Sequence, residues 1–323
     1  NLQYQKESFT LQTFPKKDAL QINKGELIAY SGNTGGSFGP HLHFELREEQ
    51  SQHPVNPLLH GIEVEDQIRP QLRKLFVFNK RDNDSLMVAE EISLNKVNDS
   101  LYVTRLIQGA GSLGFGLQLF DRQDRSWNKN GVYALRMRIN GQTVFGYRFD
   151  AFSFQDSKGI SQLIDYKTYV DQGTRVQKLF DPLYEDLSFI EQESDGFVNI
   201  EPGKSYQLLI EVEDFAGNTS YIETYIEGTT PEPQKGATPI EKGTLITPDK
   251  DYLFNYGGIE VYFPRKSLYR PHQLFINVRK DTLFLDRNRL PIRNALELQF
   301  PVSTSDSLIQ RQSFIALLNK KNK

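Results

Sequence analysis

The run YALRMRINGQTVFGYRF, Tyr133 to Phe149, constrains the fold more than any other stretch of the chain. Strand-forming residues flank Asn140-Gly141, and Asn-Gly reaches the two positive φ angles of a type I′ turn more readily than other dipeptides, so this run is a predicted β-hairpin. SYQLLIEVEDFAGNTSYIETYIEG, Ser205 to Gly228, repeats the design around Asp214-Phe215-Ala216-Gly217-Asn218 and is a second predicted hairpin. Short aromatic and β-branched runs broken by Gly, Asn, Asp and Pro recur along the chain. With 22 Phe and 15 Tyr, that pattern predicts a mostly β protein. One segment departs from it. In GISQLIDYKTYVDQG the apolar residues Ile160, Leu163, Ile164 and Tyr166 to Val170 follow a helical spacing, which predicts one short helix.

A chain of 323 residues exceeds one ordinary core and divides into two or three domains. Around residues 50–70 the composition shifts to QSQHPVNPLL and EVEDQIRP, which places the end of a first module near Gly61 and the start of a new domain close to Pro70. GTTPEPQKGATP, Gly228 to Pro239, has three prolines and no large apolar residue, the composition of a linker. The expected modules are therefore 1–61, 66–228 and 240–323. No internal repeat is present.

Charge and cysteine content narrow the chemistry. The net charge is -3 with no run of one sign, which argues against a nucleic-acid groove or an anionic membrane surface as partner. No stretch approaches the ~20 apolar residues that span a bilayer, and no signal-peptide pattern is present in the numbered chain. It opens at Asn1 rather than Met, which is compatible with a leader or upstream region having been removed. With no cysteine there is no disulfide and no thiolate, so any metal must sit on His, Asp or Glu.

Two of the five histidines lie one residue apart in GNTGGSFGPHLHFELR, Gly32 to Arg47. On a strand, residues i and i+2 share a face about 6.5–7 Å apart. His41 and His43 are then expected to point into one space, with Leu42 and Phe44 facing the opposite side and able to pack in a core. Neutral imidazole is a good zinc ligand, and a second, unligated imidazole can move a proton or stabilise an oxyanion. Gly32, Gly35, Gly36 and Gly39 let the preceding loop turn sharply and approach a ligand. Taken alone, His-x-His is a weak pattern, and partly buried histidines satisfied by their neighbours give the same signal.

The longer run NKGELIAYSGNTGGSFGPHLHFELR resembles the C-terminal signature of the lysostaphin/LytM-type zinc metallopeptidases, over 25 consecutive residues that include both histidines. That resemblance implies a small, mostly antiparallel β-structure that hydrolyses peptide bonds of peptidoglycan. It implies zinc as cofactor, His43 as a metal ligand, and His41 as the unligated histidine that assists the attacking water or stabilises the tetrahedral intermediate. Glu45 would support them, and Gly32, Asn33, Thr34, Gly35, Gly36 and Gly39 would form the loop beside the substrate. The family's zinc site also takes a His and an Asp from an upstream His-x-x-x-Asp, and the residues before the motif contain no histidine. LQTFPKKDALQINKGELIAY reads as the insertion and strand just before the signature, so the numbered chain is expected to begin partway through such a domain. A degenerate relative of the family is the alternative.

The remaining candidates are read as structural. His53 and His60 lie in the Pro-rich exit segment with exposed or capping roles, and His272 follows a proline in a loop. Asp214 has the chemistry to bind calcium, but a turn stabilised by Asp and Gly is the expected role. The Asp-x-Ala-Gly-Asn-x-Ser hairpin is similar to the last hairpin of bacterial immunoglobulin-like domains, so residues 66–228 are expected to form an elaborated immunoglobulin-like β-sandwich, followed by a further small β-domain. Peptidases of this type with trailing β-domains resemble envelope proteins of Bacteroidetes-like bacteria. The expected setting is the periplasm or the outer-membrane-associated envelope, with peptidoglycan peptide as substrate and envelope proteins as partners of the β-domains. The competing expectation is a non-catalytic, peptidase-like scaffold within an envelope complex.

Overall fold

A computed structural model of the chain describes residues 2–8, 10–33, 39–80, 86–180, 187–191, 194–231, 243–280, 282–285 and 292–302. Two compact units partition it, Asn1–Glu45 and Leu46–Lys323. The chain is mostly β, as its composition predicts.

The larger unit is built around two sheets. One is fully antiparallel and runs in the order Gln177–Lys178, Gly111–Phe120, Gln71–Lys80, Leu86–Ser93, with Val198–Ile200 also pairing Gly111–Phe120. The other follows Gln142–Arg148, Ala134–Ile139, Ser205–Glu213, Thr219–Gly228, Leu101–Val103, Asn95–Lys96. Both predicted hairpins form in it. Ala134–Ile139 and Gln142–Arg148 pair across Asn140 at φ 49° and Gly141 at φ 82°, the paired positive angles of a type I′ turn. Ser205–Glu213 pairs Thr219–Gly228 around the five-residue turn.

One core joins the two sheets. Alternation along Ser205–Glu213 sends Leu208, Ile210 and Val212 inward, and Ile222 and Ile226 answer from the next strand. They meet Leu75, Val77, Phe115 and Leu117 from the opposite sheet, which makes the pair a β-sandwich. Each such side chain contributes roughly 1.5–3 kcal/mol when fully buried. Gln71–Lys80 is covered on both faces, because Phe76 and Phe78 pack outside the sandwich against Val176 and Phe180. The middle of that strand therefore reads as an unbroken apolar run rather than an alternation.

The predicted single helix is divided. Helix Phe154–Gly159 is followed by a 3-10 turn, Ile160–Leu163, and a second helix, Tyr166–Gln172. Ile164 is extended and bridges Gln177, and Asp165 caps the next helix by accepting from Thr168 N at 2.9 Å. An Asp offering that cap restarts the chain where apolar spacing alone would continue it. His272, expected in a loop, lies in the strand His272–Leu274 paired with Thr244–Ile246, because the proline before it precedes the first ladder position.

Residues 244–300 have their own core of Ile246, Ile259, Val261, Phe263, Leu268 and Leu274. They lie in the larger of the two compact units. In Asn1–Glu45, by contrast, none of the described residues is buried and none lies in a strand.

Candidate functional site

The histidine segment is built from turns. Glu26 N donates to Asn23 O, and Asn23 N donates to a Glu26 carboxylate oxygen, both at 3.0 Å. Gly25 sits inside this turn at φ 89°, which a side chain disfavours, so the Lys-Gly of the motif has a conformational reason. Residues 26–33 then run without a ladder partner among the described residues. His41 N donates to Gly32 O at 3.3 Å and ties the start of the histidine run to the start of the glycine loop. Thr34, Gly35 and Gly36 lie outside the described residues.

His41 Nδ1 lies 3.1 Å from Gly39 O. A carbonyl oxygen only accepts, so Nδ1 carries the proton and Nε2 is the basic nitrogen of the neutral ring. The contact with Gly39 O suits the Nδ1–H tautomer of His41. His43 is exposed, as is His41, and Glu45 is partly buried. A Cβ at Gly32 or Gly39 would meet nothing within 4 Å, and neither residue has a positive φ. These two glycines relieve no clash and meet no backbone requirement.

The expected division into a wet and a dry face is not expressed. Leu42 is 85% exposed and Phe44 59% exposed, alongside both histidines. Burial of one strand face requires neighbouring strands, and His41–Glu45 has no ladder partner among the described residues. Pairing starts with the next residues, Leu46–Arg47 against Pro54–Val55.

A catalytic zinc takes three protein ligands and keeps one position for water. Among the described residues neither His41 nor His43 belongs to any group of three His, Asp or Glu ligand atoms close enough to share an ion. The described residues offer one ligand of the expected set and do not by themselves fit a catalytic zinc. His53 and His60 are exposed, the latter closing the 3-10 turn Pro57–His60. One group of carboxylates does converge, Asp66, Asp121 and Asp214. Of these, only Asp214 carried a signal in sequence, as a turn residue. Asp66 and Asp121 come from distant segments and had none.

Comparison with known proteins agrees with the motif. Residues 3–57 match the model of peptidase family M23. The chain is also 30% identical over 78 residues to the peptidoglycan DD-endopeptidase ShyA of Vibrio cholerae serotype O1, a match covering 24% of this chain and 18% of that protein. No solved structure matches the chain. The N-terminal segment thus resembles peptidases of the M23, lysostaphin/LytM type. The chain spans less than a fifth of the length of the curated relative it matches.

Proposed function

We propose that this chain is part of a cell-envelope metallopeptidase that hydrolyses peptide bonds of peptidoglycan, with His43 as a zinc ligand and His41 assisting the attacking water. The observation that carries the reading is the run Gly39-Pro40-His41-Leu42-His43-Phe44-Glu45 inside the M23-matching segment, with both imidazoles exposed. The tautomer held by Gly39 O supports the role of His41. Its Nε2 accepts the proton that water gives up as oxygen attacks the scissile carbonyl carbon, and returns it to the amine leaving as the C–N bond breaks. Glu45, Gly32 and Asn33, with Thr34, Gly35, Gly36 and Gly39, edge the substrate. This reading requires further zinc ligands, which the described residues do not bring together with His43. The modules 66–228, immunoglobulin-like, and 240–323 position the peptidase in the periplasm or at the outer membrane and offer surfaces to envelope proteins.

Elemental analysis of the full-length protein as its host makes it tests the metal assignment. About one zinc per chain is expected, with affinity falling at least roughly 10-fold in His43→Ala. A full-length protein without zinc, or a His43→Ala variant that keeps it at wild-type affinity, overturns the assignment.

A further inference from the structure

We propose that Asp66, Asp121 and Asp214 form a calcium site at one end of the β-sandwich, linking its two sheets. One carboxylate oxygen from each lies within 4.8 Å of the others. Calcium binds oxygens at about 2.3–2.6 Å, so two ligands on opposite sides of the ion stand about 4.6–5.2 Å apart. Three oxygens at this spacing fit one coordination shell. An all-carboxylate donor set suits a hard cation.

The local hydrogen bonds account for part of the cluster and leave the rest open. Asp214 accepts from Asn218 N at 2.9 Å and from Asn218 Nδ2 at 2.8 Å, which is its turn role. Asp66 accepts from Ile68 N at 3.1 Å, and its backbone carbonyl accepts from the Asn218 amide at 3.0 Å. Asp121 is different. Its backbone is satisfied by a two-way bridge to Asn130, but the residue is only 5% exposed and its Oδ1 is buried with no hydrogen-bond partner. An orphaned carboxylate oxygen is costly, and a native structure needs a reason for one.

Among the described residues no Lys or Arg forms an ion pair with any of the three carboxylates; Arg125 pairs with Glu65, and Arg69 donates to Thr219 O. The Arg122 guanidinium lies over the Phe120 ring, 5.3 Å from its centre. Burial pushes the Asp121 carboxyl up to about 7, against a hydrogen bond from the Arg122 backbone N–H and with the charges of Asp214 and Asp66 adding to it. Burial also raises Asp66, again with Asp214 adding to it. A divalent cation removes both penalties together, occupying the orphan oxygen and neutralising the mutual repulsion.

The site joins elements that pairing alone does not tie. Asp66 lies on the segment leading into Gln71–Lys80, and Asp121 follows Gly111–Phe120 of the same sheet. Asp214 opens the turn after Ser205–Glu213 of the other sheet. A bound ion would fix the start of the sandwich to the hairpin turn, where Ser220 Oγ already donates to Pro70 O at 2.7 Å.

The test is calorimetric titration of the chelator-treated full chain with calcium chloride, with thermal unfolding in parallel. Saturable binding of about one ion is expected, with a Kd of roughly 0.1–1 mM, the range of extracellular calcium modules. At a hundredfold excess over Kd the sandwich transition should rise by about 5–10 °C. Asp121→Asn should lose the binding heat and the thermal shift, yet melt in chelator at or above the wild-type temperature, because it removes an uncompensated buried acid. Should Asp121→Asn fail to fold, Asp66→Asn, at a partly exposed position, carries the same test through an affinity at least roughly 10-fold weaker. No calcium response up to about 10 mM, ten times the weakest affinity expected, overturns the site. So does a response that survives the substitution at Asp121, or an unweakened calcium affinity in Asp66→Asn where Asp121→Asn does not fold.

Discussion

Gly114→Ala examines how the outer face of the sandwich is assembled. Gly114 is buried in the strand Gly111–Phe120, where Leu113, Phe115 and Leu117 face the shared core and the glycine faces the outer layer. A Cβ there would stand 2.5 Å from Phe180 Cδ1, 2.8 Å from its Cε1 and 2.9 Å from Phe197 Cε1. Carbon atoms settle at about 3.5–4.0 Å, so the Phe180 ring would have to retreat by about 1 Å. It has little room. Phe180 is fully buried, edge-on to Phe78 with ring centres 5.4 Å apart and tilted against Phe197 at 4.5 Å. Overpacking of this kind costs about 1–3 kcal/mol, while replacing glycine lowers unfolded-chain entropy and returns about 0.4–1 kcal/mol. The net expectation is a loss of about 1–2 kcal/mol in urea unfolding followed by far-UV circular dichroism. The double variant Gly114→Ala/Phe180→Leu should lose less than the sum of the two single losses, since the shorter side chain makes room for the new methyl. A Gly114→Ala protein as stable as wild type, or strict additivity, would refute the argument that this glycine exists to seat Phe180.

Two further outcomes follow from named contacts. Asp156 caps helix Phe154–Gly159 by accepting from Ser153 N at 2.6 Å, and binds Ser188 through its N at 3.2 Å and Oγ at 2.6 Å. Burial pushes its carboxyl up, but these bonds outweigh burial and hold it below the ordinary 3.8. Its contribution is therefore present above that value and fades as pH falls through the lower folded one; Asp156→Asn should cost about 1–2 kcal/mol at pH 7, a gap that narrows in acid, and a gap that widens in acid would reverse the reasoning. Limited trypsin digestion should cut first at Lys235 within Gly228 to Pro239, releasing the C-terminal module; first cleavage elsewhere, with this bond intact, would show the segment to be packed. Gly228 itself is held by Gly203 and Lys204, so the cut falls beyond it.

Local chemistry was legible in the sequence, and long-range convergence was not. Asn140-Gly141 announced its hairpin because the turn preference resides in those two residues. The aromatic run at Phe76 to Phe78 did not announce that both its faces are covered, since the residues that cover the outer one, Val176 and Phe180, lie a domain's length away. Helical spacing from Ile160 to Val170 predicts one helix, but Ile164 is extended and the cap at Asp165 starts a second one, because a local cap competes with periodicity. At the candidate site the motif gave the family and the two histidines. It did not give the partners of His41–Glu45, because strand alternation specifies a face and never says what lies against it. The same limit hid the meeting of Asp66, Asp121 and Asp214, which depends wholly on sheet pairing.

If the histidine run belongs to a peptidoglycan peptidase, the full-length protein should cleave muropeptides. Mass spectrometry of the products from wild type, His41→Ala and His43→Ala separates the roles. Wild type should release peptides with new amino and carboxyl ends at a single bond type, His43→Ala should release none, and His41→Ala should be slower by roughly 10²–10⁴-fold, all with unchanged circular dichroism. Wild-type rates in His43→Ala, or no cleavage by the wild-type full-length protein, would contradict the claim.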